Sequence, residues 1–324
     1  MSGSGKAKVL VAAPLVGDHV RALAAIADVD AVSTPETGLT QDELLVRVEG
    51  VDALIPLLTH RIDRALLEAA PKLRVVANHA VGVDNVDLAA CHARGVIVTN
   101  TPGVLTEATA DLAFGLVLDA CRRISEGQRV LRSGEFEGWS PRSFLGARVH
   151  GATLGIVGFG RIGQAMARRA RGFSMRVVYA SPRRASHEVE VSLAATYLAL
   201  DDLLETADIV TLHAPLTDDT RGLLSRERIL RMKPGAFLVN AARGPLIDER
   251  ALAELLQQGH LGGAALDVFV GEPRVDEALL AAPRLVLTPH IGSADVDARD
   301  AMARLACESV RDVLEGRPPR HRVT

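Results

Sequence analysis

The chain has 324 residues, 48% of them hydrophobic and 24% charged, with a formal net charge of −3 at neutral pH. That length suggests two domains and that composition a globular chain, while the charge gives no electrostatic case for nucleic acid or an anionic membrane as partner. Cys91, Cys121 and Cys307 are scattered, odd in number and without C-x-x-C spacing, which speaks against a disulfide framework or a zinc site and suggests buried thiols in a reducing cytoplasm.

Ten histidines include no H-E-x-x-H, so no metal site is expected. Met1 to Lys8 is a Ser/Gly/Lys stretch without an apolar core, so no signal peptide is expected there and a disordered start is. The most apolar long segment, Thr106 to Cys121, carries Glu107, Asp111 and Asp119, which makes it a buried amphipathic helix and not a membrane span.

From Lys8 onward apolar runs alternate with helical periods. Strands are predicted at Val9 to Ala13, Ala53 to Leu58 and Arg74 to Asn78, and helices at Asp18 to Ala27, Gln41 to Val48 and Arg61 to Ala69. Such alternation reads as α/β with a parallel sheet. Directly after the third strand, Ala80, Val81 and Gly82 form a small-residue loop whose N–H groups suit a carboxylate, because ligands of open parallel sheets sit beyond the carboxyl ends of the strands. Thr101, Pro102 and Gly103 then break the pattern, and the first crossing between domains is placed there, ahead of the helix Thr106 to Arg123. A loop through Gly134, Phe136, Gly138, Trp139 and Pro141 follows.

Thr153 to Val157 is a short apolar run, and Gly158, Gly160 and Gly163 stand after it at the spacing of a G-x-G-x-x-G turn opening the helix Ile162 to Arg171. Gly158 permits the sharp turn, Gly160 lets the backbone approach a pyrophosphate, and Gly163 lets the helix pack closely on its strand. The strand before the turn, the helix after it and a second run, Arg176 to Tyr179, give a nucleotide site its full context. An NAD-preferring site places an acid about 20 residues past the turn. Here the second strand ends in Ser181, Pro182, Arg183 and Arg184, and the nearest acids, Glu188 and Glu190, come later. A hydroxyl and two guanidiniums suit a 2′-phosphate, so NADP(H) is favoured over NAD(H); the plainer reading of Arg183 and Arg184 is a solvated charged loop.

Beyond Ser181 the pattern continues with a helix near Asp201 to Thr206, strand Ile209 to His213, helix Ser225 to Met232, strand Ala236 to Asn240, helix Glu249 to Gln257, and strands Ala264 to Val268 and Leu285 to Thr288. These complete a doubly wound domain. The last helix, Ala294 to Leu314, is too long and polar to finish that sheet and is expected to return to the first domain, making it discontinuous. Three residues at strand ends carry candidate chemistry. Arg243, in NAARGPLID, has a guanidinium able to hold a carboxylate by two hydrogen bonds. Glu272, in DVFVGEP, and His290, in TPHIGS, would together make a proton donor for reducing a carbonyl and a base for oxidising an alcohol. Taken singly, Arg243 also reads as a surface charge, Glu272 as a helix-start acid before Pro273, and His290 as a satisfied loop histidine.

Read together, VGVDNVD, GFGRIG, NAARGPLID, ALDVFVGEP and TPHIGSA resemble the D-isomer-specific 2-hydroxyacid dehydrogenase family, over about Val75 to Ala294. The resemblance implies an α/β fold of two domains: a discontinuous flavodoxin-like substrate domain (1–101 and 292–324) and an inserted Rossmann dinucleotide-binding domain (102–291), with a cleft between them and a homodimer formed through the cofactor domains. It implies that Arg243 binds substrate, Glu272 is the acid and His290 the proton donor and acceptor, with Val81 and Gly82 in the substrate loop. It also implies that Arg161 and Ile162 contact the pyrophosphate, that Asp267 lies near the nicotinamide carboxamide, and that His213, Pro215 and Ala241 line the dinucleotide.

VLTEATADLAFGLVLDACRR and SGEFEGWSPR look most like the glyoxylate/hydroxypyruvate reductase branch, which often uses NADPH. Branch members commonly place an arginine directly after the serine, whereas Pro182 intervenes here, leaving open which arginine meets the phosphate. In relatives with the matching tryptophan, that side chain reaches the partner subunit's pocket, making Trp139 a candidate for the same. The neighbouring readings are a phosphoglycerate, phosphite or D-lactate dehydrogenase, and, from another class, a dinucleotide-sensing binding protein like the C-terminal binding protein co-repressors. The intact Arg243, Glu272 and His290 set favours catalysis on a small 2-oxo or 2-hydroxy acid.

Overall fold

The computed structural model describes residues 6–324. The chain forms two compact units, one made of the chain up to Leu105 together with Ser293–Thr324, the other of Thr106–Gly292. The first crossing thus falls at Leu105, beyond the Thr101 suggested by the Thr-Pro-Gly breaker.

In the first unit β1 (Lys8–Val11), α1 (His19–Ala24), β2 (Asp28–Ala31), α2 (Gln41–Arg47), β3 (Ala53–Ile55), α3 (Arg64–Ala69), β4 (Val75–Ala77), α4 (Leu88–Ala93) and β5 (Ile97–Thr99) follow in order. The strands pair in parallel as β2-β1-β3-β4-β5, the flavodoxin-like order. Helix starts are set by side chains: Thr40 and Glu43 form a reciprocal capping box on α2, and Asp63 and Asp87 accept from the first turns of α3 and α4. The strand expected to run to Leu58 stops at Ile55, where Pro56 removes a ladder donor. β2 is not legible in the sequence at all, because its DVDA stretch lies at the sheet edge, is mostly exposed and carries no apolar run. Of the expected disordered start, residues 1–5 lie outside the described residues, whereas Lys8 already pairs in β1.

The second unit contains α5 (Thr106–Arg122), α6 (Ile124–Ser133), β6 (Thr153–Val157), α7 (Arg161–Gly172), β7 (Arg176–Ala180), α8 (His187–Leu193), β8 (Ala195–Tyr197), α9 (Leu200–Thr206), β9 (Ile209–Leu212), α10 (Arg226–Arg231), β10 (Phe237–Asn240), α11 (Glu249–Gln257), β11 (Gly263–Leu266), α12 (Glu277–Leu280) and β12 (Leu285–Leu287). Its strands are all parallel in the order β12-β11-β10-β9-β6-β7-β8, so the strand order reverses between β6 and β9. β9, β10 and β11 are buried throughout, as expected of strands covered on both faces. One core packs α5 and α7 on one face, and a second packs α9, α10 and α11 on the other. α6, α8 and β8 escape the sequence reading; α6 buries none of its side chains, and β8 is a three-residue edge strand.

The chain returns to the first unit as α13 (Val296–Leu314), whose Ala306, Cys307, Val310 and Val313 pack with Val9, Val11, Ala53, Val75 and Ala77 of the first sheet. All three cysteines are free and buried, and burial pushes their thiols up, to about 11 for Cys91 and about 12 for Cys121 and Cys307. Among the described residues no helix is long and apolar enough to cross a membrane, and no group of His, Cys, Asp and Glu is placed to hold a metal.

Candidate active site

The glycine turn lies where the second sheet reverses. Gly158 adopts φ 92°, and a Cβ there would stand 2.5 Å from Ala214 N and 2.6 Å from His213 C, on the strand end beyond the reversal. A Cβ on Gly163 would stand 2.2 Å from Gly158 O, so only glycine lets α7 start this close to β6. Gly160 has open space where a Cβ would be, and as N-cap it offers no side-chain oxygen to the first turn of α7. The first turn of this 12-residue helix, with Arg161 exposed and Ile162 half-buried, is therefore left for an external acceptor. This turn fits the pyrophosphate of a dinucleotide.

Around the turn, His213 shares a 2.9 Å hydrogen bond between Nε2 and Thr211 Oγ1, while its Nδ1 is shut off from solvent with no partner. Burial pushes this imidazole down, so it is neutral. Pro215 is exposed, its carbonyl accepting from Thr220 Oγ1, and Ala241 is buried just past β10.

At the end of β7, Ser181 is half-buried, and Arg183 and Arg184 are exposed. The two arginines differ in their surroundings. Arg184 donates from Nε and Nη2 to the two carboxylate oxygens of Glu190, at 2.8 Å each. Glu190, from α8, is buried and also accepts from the hydroxyl of the fully buried Tyr179 at 2.6 Å. Arg184 and the Tyr179 hydroxyl hold its carboxyl down at about 2. An acid that lies further along the sequence is thus folded back to the strand end.

On the neighbouring strand ends, His290 Nδ1 lies 2.7 Å from Glu272 Oε2. The other oxygen of Glu272 accepts from Phe269 N at 2.9 Å, fixing the carboxylate. Burial pushes the Glu272 carboxyl up, but the hydrogen bonds from His290 and Phe269 N and the positive charges of His290 and Arg243 outweigh it and hold the group below its ordinary value. His290 itself has φ 53°, a left-handed conformation costly for a residue with a Cβ. It is held there by its N–H, which donates to Asp267 O and Thr288 O. Arg243 follows β10, donating to Ala242 O, while Asn240 Nδ2 donates to the Arg243 carbonyl. A Cβ on Gly244 would lie 2.1 Å from Phe269 C, so the Arg243 loop is packed directly on the loop that carries Glu272.

Two acids brace this constellation, a role the sequence reading did not give to either. Asp267, 1% exposed, accepts from Thr288 Oγ1 (2.6 Å) and Ile291 N (2.9 Å) on one oxygen and from Gly292 N (2.8 Å) on the other. It ties down the loop on which His290 stands. Glu249, a buried acid at the start of α11, accepts from Val270 N at 2.7 Å and steadies the Glu272 loop. Only a buried acid in the otherwise apolar ALDVF run hints at the first of these. Asp267→Asn keeps the volume but turns an amide N–H₂ toward a donor; it should cost about 2 kcal/mol and lower Tm by roughly 4–8 °C. Thermal unfolding checks this, and an unchanged Tm would mean the loop does not depend on the carboxylate.

In the first unit, the Val81–Gly82 loop is pinned through its carbonyls. Asn100 Nδ2 donates to Val81 O and Asn78 Nδ2 to Gly82 O, each at 2.8 Å. Asn78 is fully buried. Holding the carbonyls in this way leaves the N–H groups as the loop's available donors.

A parallel sheet whose strand order reverses beside a phosphate-accepting turn, with an acid-supported imidazole past the end of the edge strand β12, defines the class: an oxidoreductase using a nicotinamide dinucleotide. The profile described as "D-isomer specific 2-hydroxyacid dehydrogenase, NAD binding domain" matches residues 114–292. A glyoxylate reductase of Pyrococcus furiosus is 48% identical over 288 residues, covering 88% of this chain and 85% of that one. A solved protein of Thermus thermophilus superposes with TM-score 0.90 at 46% identity, over 98% of this chain and all of that one. The NADPH-dependent glyoxylate/hydroxypyruvate reductase of Sinorhizobium meliloti, solved with NADP and malonate, superposes with TM-score 0.85 at 33% identity, over 99% and 97% of the two chains. The chain belongs to the D-isomer specific 2-hydroxyacid dehydrogenase family. Its reaction class is therefore hydride exchange between a nicotinamide dinucleotide and a small 2-oxo or 2-hydroxy acid.

Proposed function

We propose that the protein reduces glyoxylate or hydroxypyruvate to the D-2-hydroxy acid with NADPH, and that His290 supplies the proton. The observation that carries this reading is the 2.7 Å contact between His290 Nδ1 and a Glu272 carboxylate fixed on its other side by Phe269 N. The imidazolium donates Nδ1–H to Glu272, which leaves Nε2–H as the transferable proton. The dinucleotide, when bound, supplies the hydride that goes to the 2-oxo carbon. Arg243 holds the substrate carboxylate with its guanidinium, and the N–H groups of Val81 and Gly82 serve as carboxylate donors on the first unit. Gly158, Gly160, Arg161, Ile162 and Gly163 hold the pyrophosphate, His213, Pro215 and Ala241 line the dinucleotide, and Asp267 lies near the nicotinamide carboxamide. Ser181 and the arginine pair favour a 2′-phosphate. The names of the Pyrococcus and Sinorhizobium relatives, and the NADP bound in the latter, support both substrate and cofactor.

The reading extends to a homodimer. Ile124, Leu131, Phe136, Trp139 and Leu145 are all exposed on α6 and the segment after it, apolar side chains that a second copy would cover.

Initial rates with NADPH and NADH against a panel of 2-oxo acids test the function. Higher kcat/KM with NADPH, and with glyoxylate or hydroxypyruvate than with pyruvate, is expected. A lower KM for NADH would overturn the cofactor preference, and no turnover on the panel would overturn the substrate.

A further inference from the structure

Two arginines follow Ser181, yet their electrostatic situations differ. The Nε and Nη2 atoms of Arg184 form a two-pronged contact with both oxygens of Glu190, at 2.8 Å each. Its guanidinium carbon also lies 5.8 Å from the centroid of the Tyr197 ring. Glu190 is not a casual surface partner. It is 8% exposed, and the hydroxyl of Tyr179 donates to it at 2.6 Å while accepting from Ala185 N at 2.9 Å. Tyr179 is fully buried and stacks on Phe159 of the glycine turn, with ring centroids 3.9 Å apart. The carboxylate is thus built into the same framework that holds the pyrophosphate turn. Arg183 is exposed and in no ion pair among the described residues.

We propose that Glu190 is a specificity-determining residue: it claims Arg184 as the brace of the 181–185 turn, leaving Arg183 with Ser181 as the contacts of the 2′-phosphate. The physical reason is charge. A guanidinium held in two-pronged contact by a carboxylate presents almost no net charge to a phosphate a few ångströms away, and the carboxylate repels that phosphate. Arg184 therefore contributes shape, and Arg183 contributes the attraction. This rests on the NADP(H) preference proposed above, but it concerns how discrimination is set and not which cofactor wins.

The test is titration of NADPH and NADH, followed by nicotinamide fluorescence, into the wild-type protein and three variants. Arg183→Ala should raise the Kd for NADPH about tenfold or more with NADH changed less than about twofold. Glu190→Gln, which removes the negative charge but keeps an acceptor for Tyr179 and Arg184, should shift the ratio of the two Kd values toward NADPH by about fivefold. The double variant Arg184→Ala with Glu190→Gln removes a cancelling pair and should keep the wild-type ratio within about threefold. If that double variant loses discrimination as fully as Arg183→Ala, then Arg184 is the phosphate ligand and the proposal is wrong. Should the Gln variants fail to fold, Arg183→Ala decides, because its side chain is exposed: retained discrimination overturns the proposal. Since every variant is read as a change in ratio, a wild type that favours NADH would sink the preference alone, while Glu190→Gln would still test this inference.

Discussion

Replacing His290 by alanine should lower kcat for reduction of the 2-oxo acid by something on the order of 10²-fold or more, with dinucleotide affinity nearly unchanged. The expected loss follows from geometry: His290 is held in a left-handed conformation by Asp267 and Thr288, and its Nδ1 is engaged by Glu272 at 2.7 Å, so one nitrogen is oriented and the other is left for the proposed proton transfer. The pair also sets the pH dependence. Glu272 is held below its ordinary 4.5, so it is ionised in any neutral or mildly acidic buffer. Because the shift is downward, its stabilisation of the fold is complete above the ordinary value and is lost only as pH falls through the lowered one. Within the working range the proton exchanged with substrate is thus not one held by Glu272. With His290 as the proposed acid and base, reduction should fall as pH rises and oxidation of the hydroxy acid should fall as pH drops. Glu272→Gln removes the charge that favours the imidazolium and should move the alkaline limb of reduction to lower pH. The check is kcat against pH in both directions for the wild type and this variant. A limb that does not move would mean that another group sets the proton donor's behaviour.

Changing Arg243 to lysine should raise KM for the 2-oxo acid by about 10- to 100-fold, with a smaller effect on KM for the dinucleotide. Lysine keeps the charge but has no planar fork, and an ammonium cannot make two parallel hydrogen bonds to a carboxylate. The Arg243 loop is packed on the Glu272 loop through Gly244, whose missing Cβ permits contact with Phe269 and which the substitution leaves in place. The larger effect should fall on the substrate. Steady-state kinetics with glyoxylate and with a 2-oxo compound lacking the carboxylate separate the two cases. An equal loss on both would mean that Arg243 acts on something other than the carboxylate.

The sequence alone determined the parts of this protein whose residue chemistry admits one conformation. The run Thr153 to Val157, the three glycines after it and the helix Glu249 to Gln257 were readable because buried parallel strands are continuously apolar, because a Cβ at Gly158 or Gly163 has nowhere to go, and because Asp248 caps its helix locally. Arg243, Glu272 and His290 were also legible, as titratable or charged groups at strand ends. Tertiary structure alone decided the rest. The strand Asp28–Ala31 exists only because β1 offers an edge to pair with, and nothing in DVDA asks to be buried. That Asp267 braces the His290 loop, that Glu249 steadies the Glu272 loop, and that Glu190 reaches back to claim Arg184 were invisible for the same reason. Each is a buried carboxylate whose partners are backbone N–H groups or side chains outside its own element, and such a hydrogen bond leaves no periodicity in the chain.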